Sequence, residues 1–125
     1  MPASKSVIEL TQIAARAAAE KFGTEIVGID LSEQLVLSEV FLIVTGANVR
    51  QVDAIADFVE EKLREVGEKP ARREGGQEWI LLDYSDLVVH IQSTELRGYY
   101  MLDRLWNDCP KIELDLPEET VVNGE

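Results

Sequence analysis

The sequence predicts a single α/β domain in which helices pack across a mixed β-sheet. Helix-like and strand-like patterns follow one another in the order α-β-β-α-β-β-β-α. The apolar run at 40–44 is typical of a central strand that is covered on both faces. A chain of 125 residues has room for one core. Helices packed across a sheet would bury the apolar sides of all these elements together.

The first helix is predicted to begin at Ser6, because Ser6, Val7, Ile8 and Glu9 form a capping-box pattern. Gly23 is expected to end this helix as a C′ glycine. The residues expected to face the core recur at helical spacing: Val7, Leu10, Ile13, Ala14, Ala17, Ala18 and Phe22. Strands are predicted at 25–31 and 40–44, with a loop between them.

The second helix is predicted to begin after the turn Thr45-Gly46-Ala47-Asn48, with Asn48 as its N-cap. Gly67 is expected to end it. Its buried stripe should consist of Val52, Ile55, Ala56, Val59, Leu63 and Val66.

The second half of the chain predicts a short strand at 69–74 and a hairpin formed by 79–82 and 87–91. A third helix is expected from 94 to 107, with Leu96, Tyr100 and either Leu105 or Trp106 buried. Pro110 should end this helix. The predicted domain therefore covers residues 1–110, and residues 111–125 are predicted to form an acidic, disordered tail.

The net charge of −12 restricts the kind of partner this protein binds. Residues 111–125 hold one Lys and five acids and contribute −4, which leaves −8 on the rest of the chain. A surface for nucleic-acid phosphates needs clustered Lys and Arg. We therefore expect contact with a basic protein and little direct contact with RNA.

The sequence also predicts a cytoplasmic protein that does not bind a membrane. No apolar run approaches the roughly 20 residues that a membrane helix needs. The first residues lack the apolar stretch of a signal peptide. The single cysteine, Cys109, forms neither a disulfide within the chain nor a metal site by itself.

Three blocks of the sequence resemble the ribosomal silencing factor family, also called Iojap or RsfS. The first block runs from Phe41 to Val52 and includes Phe-Leu-Ile-Val-Thr-Gly. The second contains Trp79-Ile80-Leu81-Leu82-Asp83-Tyr84 and continues to His90, and the third runs from Arg97-Gly98-Tyr99-Tyr100 to Trp106. The resemblance covers approximately residues 6–110, and the three blocks are specific because of their order and spacing.

This resemblance implies a translational repressor without catalytic activity or cofactor. Members of the family bind the fourteenth protein of the large ribosomal subunit, on the side where the small subunit would join. Translation is repressed in this way when nutrients are short. The family fold is similar to that of nucleotidyltransferases without their chemistry, and free members often pair as homodimers.

The predicted hairpin supplies most of the candidate docking residues. Trp79 and Tyr84 match positions that dock in the family, and large aromatic side chains often contribute most of the binding energy of an interface. Trp79, Leu81 and Asp83 share one face of their strand, while Tyr84 belongs to the other face. The six residues predicted to dock on the ribosomal protein are Trp79, Leu81, Asp83, Tyr84, Asp86 and Tyr99.

The alternative function is that of a nucleotidyltransferase-like enzyme or a nucleotide-binding domain, and the sequence supports it poorly. The turn at 45–48 lacks the pattern of a phosphate-binding loop. Asp83 and Asp86 are three residues apart across a turn, whereas carboxylates that hold Mg²⁺ usually alternate along a strand. His90 has no nucleophile or orienting partner in its pattern and is interpreted as structural. A third possibility is a module that only dimerises.

Overall fold

The computed structural model of the protein describes residues 3–34 and 38–116. In chain order its elements are α1 (Lys5–Glu20), β1 (Thr24–Asp30), β2 (Val40–Gly46), α2 (Val49–Arg64), β3 (Arg72–Gly76), β4 (Trp79–Asp83), β5 (Leu87–Ser93), α3 (Thr94–Tyr100), α4 (Leu102–Leu105) and β6 (Lys111–Ile112). Within this part of the chain, no helix is both long enough and apolar enough to span a membrane.

The strands of the described residues form one six-stranded sheet in the order β3-β4-β5-β2-β1-β6. The central strands β2 and β5 run parallel, and the other neighbouring strands are antiparallel. The predicted mixed α/β fold is confirmed. So is the hairpin of β4 and β5, in which Trp79 pairs with Gln92 and Leu81 with His90.

The helix α1 begins earlier than its sequence pattern indicated. Ser4, rather than Ser6, caps it, because the Ser4 hydroxyl accepts a hydrogen bond from the Val7 amide at 3.4 Å. The predicted burial of Phe22 is also wrong. Phe22 follows the helix in a left-handed conformation (φ 68°), and this backbone leaves its side chain 77% exposed.

Gly23 is required for close packing rather than for a left-handed turn. A Cβ atom at this position would lie 2.8 Å from the Val44 side chain and 2.9 Å from the Ala18 carbonyl oxygen. Its amide donates to that same carbonyl oxygen at 2.9 Å. The chain therefore leaves α1 and enters β1 directly against the core.

The helix α2 matches its prediction closely. The Asn48 side chain accepts a hydrogen bond from the Gln51 amide at 2.9 Å, as expected of the N-cap. Gly67 has a φ of 88° just beyond the helix, where a glycine is favoured. The predicted burial of Val66 is wrong, because this residue follows the end of the helix and is exposed. The other predicted core residues of α2 are buried: Val52, Ile55, Ala56, Val59 and Leu63.

The main core lies between the sheet and the two long helices, which both pack on the same face. The strands contribute alternate residues to it, as the two-residue period of a strand requires. The central strands supply Val40, Leu42, Val44, Leu87, Val89 and Ile91 to this core. We call the opposite side of the sheet the second face.

The second face has a smaller core of its own, formed by Ile29, Leu31, Ile43 and Cys109. Phe41 and Trp106 pack against this cluster. The segment α3–α4 covers part of the second face, since the buried Arg97 side chain donates a hydrogen bond to the Thr45 hydroxyl at 2.6 Å.

The predicted third helix is divided into two. Met101 has a left-handed conformation (φ 51°, ψ 53°), which ends α3 and precedes the four-residue α4. Because of this break, Leu105 is 66% exposed, and Trp106 is the partly buried member of the predicted pair. The side chain of Tyr100, whose burial was also predicted, lies outside the described part of the structure.

The predicted domain boundary at residue 110 is also wrong. The strand β6 pairs with β1, and Ile112, Leu114 and Leu116 pack against the main core. The Gln12 side chain bonds both the Glu113 carbonyl oxygen, at 2.7 Å, and the Asp115 amide, at 2.9 Å. Residues 111–116 therefore belong to the fold, and the remainder of the predicted tail lies outside the described residues.

Candidate docking surface

An aromatic row crosses the second face from β4 to the end of α4. Its members are Trp79, His90, Phe41 and Trp106. The ring centroids of Trp79 and His90 are 6.0 Å apart, those of His90 and Phe41 4.6 Å, and those of Phe41 and Trp106 6.5 Å. His90 is buried within the row, while the other three side chains remain partly exposed.

A hydrogen bond joins the first two members of the row. The Trp79 indole Nε1 donates to His90 Nδ1 at 3.3 Å. Burial lowers the pKa of His90 to about 4, so that the imidazole is neutral at pH 7 and Nδ1 is free to accept. His90 Nδ1 is therefore bonded to the Trp79 indole and not to a nucleophile.

Exposed apolar side chains are concentrated in the segment that covers the second face. Among the described residues, six large apolar side chains are exposed, and three of them fall between residues 99 and 105. These are Tyr99 (75%), Met101 (39%) and Leu105 (66%). Leu81 and Trp79 on β4 are partly exposed, and they line a shallow hollow together with Glu74 and Gly75. A concentration of this kind is a common mark of a binding surface.

Acidic side chains lie beside the apolar residues of β4. Arg72 lies opposite Asp83 in the sheet and Glu74 opposite Leu81. The Arg72 guanidinium lies 3.2 Å from the Asp83 carboxylate and 2.7 Å from that of Glu74. Asp83, one of the predicted docking residues, is therefore already paired with Arg72.

Asp86, the other acidic residue predicted to dock, has a different position from Asp83. It lies in the turn after β4 with its side chain exposed. The carbonyl oxygen of Asp86 accepts hydrogen bonds from the amides of Glu39 and Val40. Its carboxylate thus stands at the end of the hairpin, where the backbone holds the turn against β2.

Tyr84, another of the predicted docking residues, lies on the opposite side of the sheet from Trp79, as the two-residue period of the strand predicts. Tyr84 follows β4 by one residue and lies on the α1–α2 side of the sheet, where it is only 8% exposed. Burial, and to a smaller extent the charge of Glu60, raises its pKa to about 12. The two-residue period of the strand separates Tyr84 from the surface that contains Trp79 and Leu81.

The turn at residues 45–48 offers little to a phosphate group. The Ala47 amide donates to the Gln51 side chain, and the Gln51 amide donates to Asn48, so these amides are already bonded. The acidic residues Glu78 and Glu95 also line the hollow beside this turn. These negative charges would repel a nucleotide phosphate.

Two aspartates that end strands of the sheet, Asp30 and Asp83, have structural partners for their carboxylates. Asp30 accepts hydrogen bonds from the Ala3 amide and from both the amide and the hydroxyl of Ser32. Asp83 bonds Arg72 and the Ser85 amide. Within residues 3–34 and 38–116, no three or more His, Cys, Asp or Glu side chains gather in a way that could hold a metal ion.

The sequence pattern did not place Phe41, Leu105 and Trp106 on this surface. Phe41 lies in a continuous apolar run, so its side was set only when β2 was placed between β1 and β5. Leu105 becomes exposed because of the break at Met101. The apolar surface, by which we mean Trp79, Leu81, Phe41, Tyr99, Met101, Leu105 and Trp106, thus combines three separate parts of the chain. The fold and this surface define a small α/β protein with an aromatic row on the second face of its sheet and exposed apolar side chains in the segment that covers this face.

Comparison with known proteins shows to which family this chain is similar. A family model described as "Ribosomal silencing factor during starvation" matches residues 4–124. A ribosomal silencing factor of Halalkalibacterium halodurans is 35% identical over 109 residues, which is 86% of this chain and 93% of the relative. The chloroplast protein Iojap of Zea mays is 31% identical over 105 residues, covering 80% of this chain and 44% of that protein.

Solved structures agree with these sequence matches. A crystal structure of a protein from Chromobacterium violaceum has a TM-score of 0.76 and 35% identity, and it covers 79% of this chain and 84% of that one. Another, from Bacillus halodurans, has a TM-score of 0.74 and 34% identity, and it covers 85% of this chain and 98% of that one. The chain belongs to the ribosomal silencing factor family, as its resemblance to that family indicated. Its relatives are named as silencing factors and not as enzymes.

Proposed function

We propose that this protein represses translation by docking on the large ribosomal subunit and blocking the small subunit. The partner is a basic ribosomal protein, which by the family resemblance is the fourteenth protein of the large subunit. The observation that carries this proposal is the apolar surface on the second face, with Trp79 at one end of the aromatic row.

The apolar residues have the composition of an interface centre. Interfaces derive most of their binding energy from a few large side chains, with Trp and Tyr prominent among them. Trp79 and Trp106 are held by ring contacts, and Tyr99 is 75% exposed. Aromatic side chains supply a large contact area with few rotatable bonds, so ordering them on binding is not costly.

The charge of the protein favours a basic partner. The chain carries a net charge of −12, and the acidic residues Glu78 and Asp86 lie near the two ends of β4. Charge of opposite sign across an interface speeds association and helps to select the partner. Nucleic-acid phosphate would be repelled by the same surface, and we therefore propose little direct contact with RNA.

The mechanism is occupancy of a surface and needs no catalytic group. A bound domain overlaps the space that the small subunit would take, and subunit joining must wait until it dissociates. Repression would act during starvation, the condition in the description of the matching family. This function belongs in the cytoplasm, where ribosomal subunits join.

Sedimentation of the purified protein with large ribosomal subunits tests this proposal. We expect the parent protein to pellet with the large subunits and Trp79→Ala to stay in the supernatant. Removing a central Trp commonly costs about 2 kcal/mol or more, roughly thirtyfold in affinity. Phe22→Ala is a matched control, because Phe22 is also an exposed aromatic residue but follows α1. This control should pellet like the parent.

Two results would contradict the proposal. The first is that Trp79→Ala pellets as well as the parent, which would remove Trp79 from the docking surface. The second is that its melting temperature falls far below that of the parent, since a core role for Trp79 would then explain lost binding. Adding purified small subunits supplies the functional readout, and the parent protein should reduce the yield of joined ribosomes.

Two further measurements separate the remaining alternatives. A nucleotide with Mg²⁺ should not change the melting temperature of a docking protein, whereas it would stabilise a nucleotide-binding domain. We also propose that free copies pair as homodimers, which light scattering of the purified protein tests. A dimer that does not pellet with ribosomes would instead favour a module that only dimerises.

A further inference from the structure

We infer that His90 is a positioning residue that fixes the orientation of the Trp79 indole for docking. This inference rests on the function proposed above and assigns a specific task to a residue that the partner does not touch. His90 is only 5% exposed, so it acts through Trp79 rather than by direct contact.

The imidazole of His90 lies between two aromatic side chains. On one side it accepts the indole Nε1–H of Trp79 at 3.3 Å, and on the other it packs on Phe41 with 4.6 Å between ring centroids. The strands place His90 opposite Leu81 and beside Ile43. Both the sheet and Phe41 therefore restrict the imidazole, and the hydrogen bond transmits this restriction to Trp79.

The hydrogen bond determines the tautomer of His90. Nδ1 accepts the indole proton only when it carries no proton itself, so the imidazole proton must be on Nε2. Nε2 is buried and has no hydrogen-bond partner among the described residues. A buried N–H group without a partner is unfavourable compared with an apolar side chain of similar shape. His90 therefore lowers the stability of the fold in exchange for an oriented Trp79.

Such a residue is expected at a functional site rather than in an ordinary core. A free indole would sample several rotamers, and fixing one of them on docking would weaken the affinity. With its Nε1–H already bonded to His90, the partly exposed ring of Trp79 presents the same edge to the partner before and after binding.

A matched pair of substitutions tests this inference. Asn and Leu have the same shape, but Asn can place an oxygen acceptor close to the position of Nδ1, whereas Leu has a methyl group there. We expect His90→Leu to have the higher melting temperature of the two and the weaker affinity for large subunits. Loss of one positioning hydrogen bond should weaken docking about fivefold, and His90→Asn should recover most of this loss.

We expect the more stable of the two variants to be the weaker binder, and this result distinguishes positioning from a merely structural role. If His90 only supported the fold, the more stable variant would bind at least as well as the other. Equal docking of the Leu and Asn variants, in an assay where Trp79→Ala fails to dock, would overturn the inference and leave the proposed function intact. Normal docking of Trp79→Ala would instead contradict the proposed function.

The indole N–H resonance of the free parent protein tests the hydrogen bond without the ribosome and without a variant at His90. The sequence has two Trp residues, and the spectrum of Trp79→Phe assigns the resonance of Trp79. We expect a resonance that is shifted downfield and exchanges slowly with water. A Trp79 resonance at the position and exchange rate of a free indole would overturn the inference.

Discussion

The guanidinium of Arg16 in α1 lies 3.0 Å from the carboxylate of Asp115, which is 99 residues further along the chain. Beside this ion pair, Gln12 bonds the backbone of Glu113 and Asp115. The segment after β6 is therefore fixed along α1. Both charged side chains of the ion pair are mostly exposed, so the pair itself adds little stability.

We predict that a chain ending at residue 110 is less stable than one ending at residue 116. The shorter chain loses the apolar contacts of Ile112, Leu114 and Leu116, each of which is partly buried. At about 1 kcal/mol for each half-buried side chain, the loss is roughly 3 kcal/mol. Urea unfolding of the two chains measures it. Arg16→Ala in the longer chain is the control and should change stability by less than about 1 kcal/mol.

Tyr84→Phe should leave ribosome docking unchanged and should not destabilise the protein. The Tyr84 hydroxyl is buried and has no hydrogen-bond partner among the described residues, so its removal relieves an unpaired polar group. We expect the free energy of unfolding to stay the same or to rise by about 1 kcal/mol. Weaker co-sedimentation of this variant with large subunits would place Tyr84 in the interface after all.

Acid should destabilise the protein partly through His90. The folded pKa is about 4, and the ordinary value of 6.5 applies to the unfolded chain. Below pH 6.5 the unfolded chain takes up a proton that the folded chain does not, so the free energy of unfolding falls as pH falls. Protonation of His90 has little effect on stability above pH 6.5, and it lowers the free energy of unfolding by roughly 3 kcal/mol between pH 6.5 and pH 4.

Comparison of urea unfolding at pH 7.0, 5.5 and 4.5 between the parent and His90→Leu isolates this effect. The sequence has one histidine, so the difference in pH dependence between the two chains reports on His90. Burial raises the pKa of Asp30, but hydrogen bonds from Ser32 and Ala3 lower it by more, and this contribution is common to both chains. Parallel curves for the two chains would contradict the prediction.

Charge reversal at Asp86 tests whether the partner is basic. Asp86→Lys should weaken docking about threefold, because it opposes the positive charge of a basic ribosomal protein. We choose Asp86 over Asp83, since Asp83 already pairs with Arg72 and its replacement would also disturb the hairpin. Glu61→Lys changes the net charge by the same amount on an exposed position of α2 and should dock like the parent.

Added salt gives the complementary result for the parent protein. Docking through apolar groups should weaken only modestly between about 50 and 200 mM salt, whereas six to ten phosphate contacts would lose roughly 10³–10⁵ in affinity. Tighter binding of Asp86→Lys together with a steep salt dependence of the parent would show that this surface lies against RNA phosphate.

The sequence by itself was sufficient to predict the helices and strands that depend on the pattern of neighbouring residues. Hydrophobic periodicity was sufficient for α1, α2 and the β4–β5 hairpin, and the side-chain chemistry of Asn48 was sufficient for its cap. The two-residue period of a strand also places Trp79 and Tyr84 on opposite faces. Three blocks of residues were sufficient to indicate the family, because their order and spacing are specific to it.

Tertiary structure alone decided the composition of the apolar surface and the extent of the domain. Phe41, His90 and Trp79 come together only because β2 and β5 pair in parallel and β4 pairs on the far side of β5. Residues 111–116 have a weak pattern of their own, and they join the fold because β1 and α1 offer an unpaired strand edge and polar partners. Contacts between distant segments depend on which surfaces remain unsatisfied after the local elements have formed. No local pattern contains that information, and this is why β6 and the aromatic row were visible only in the folded protein.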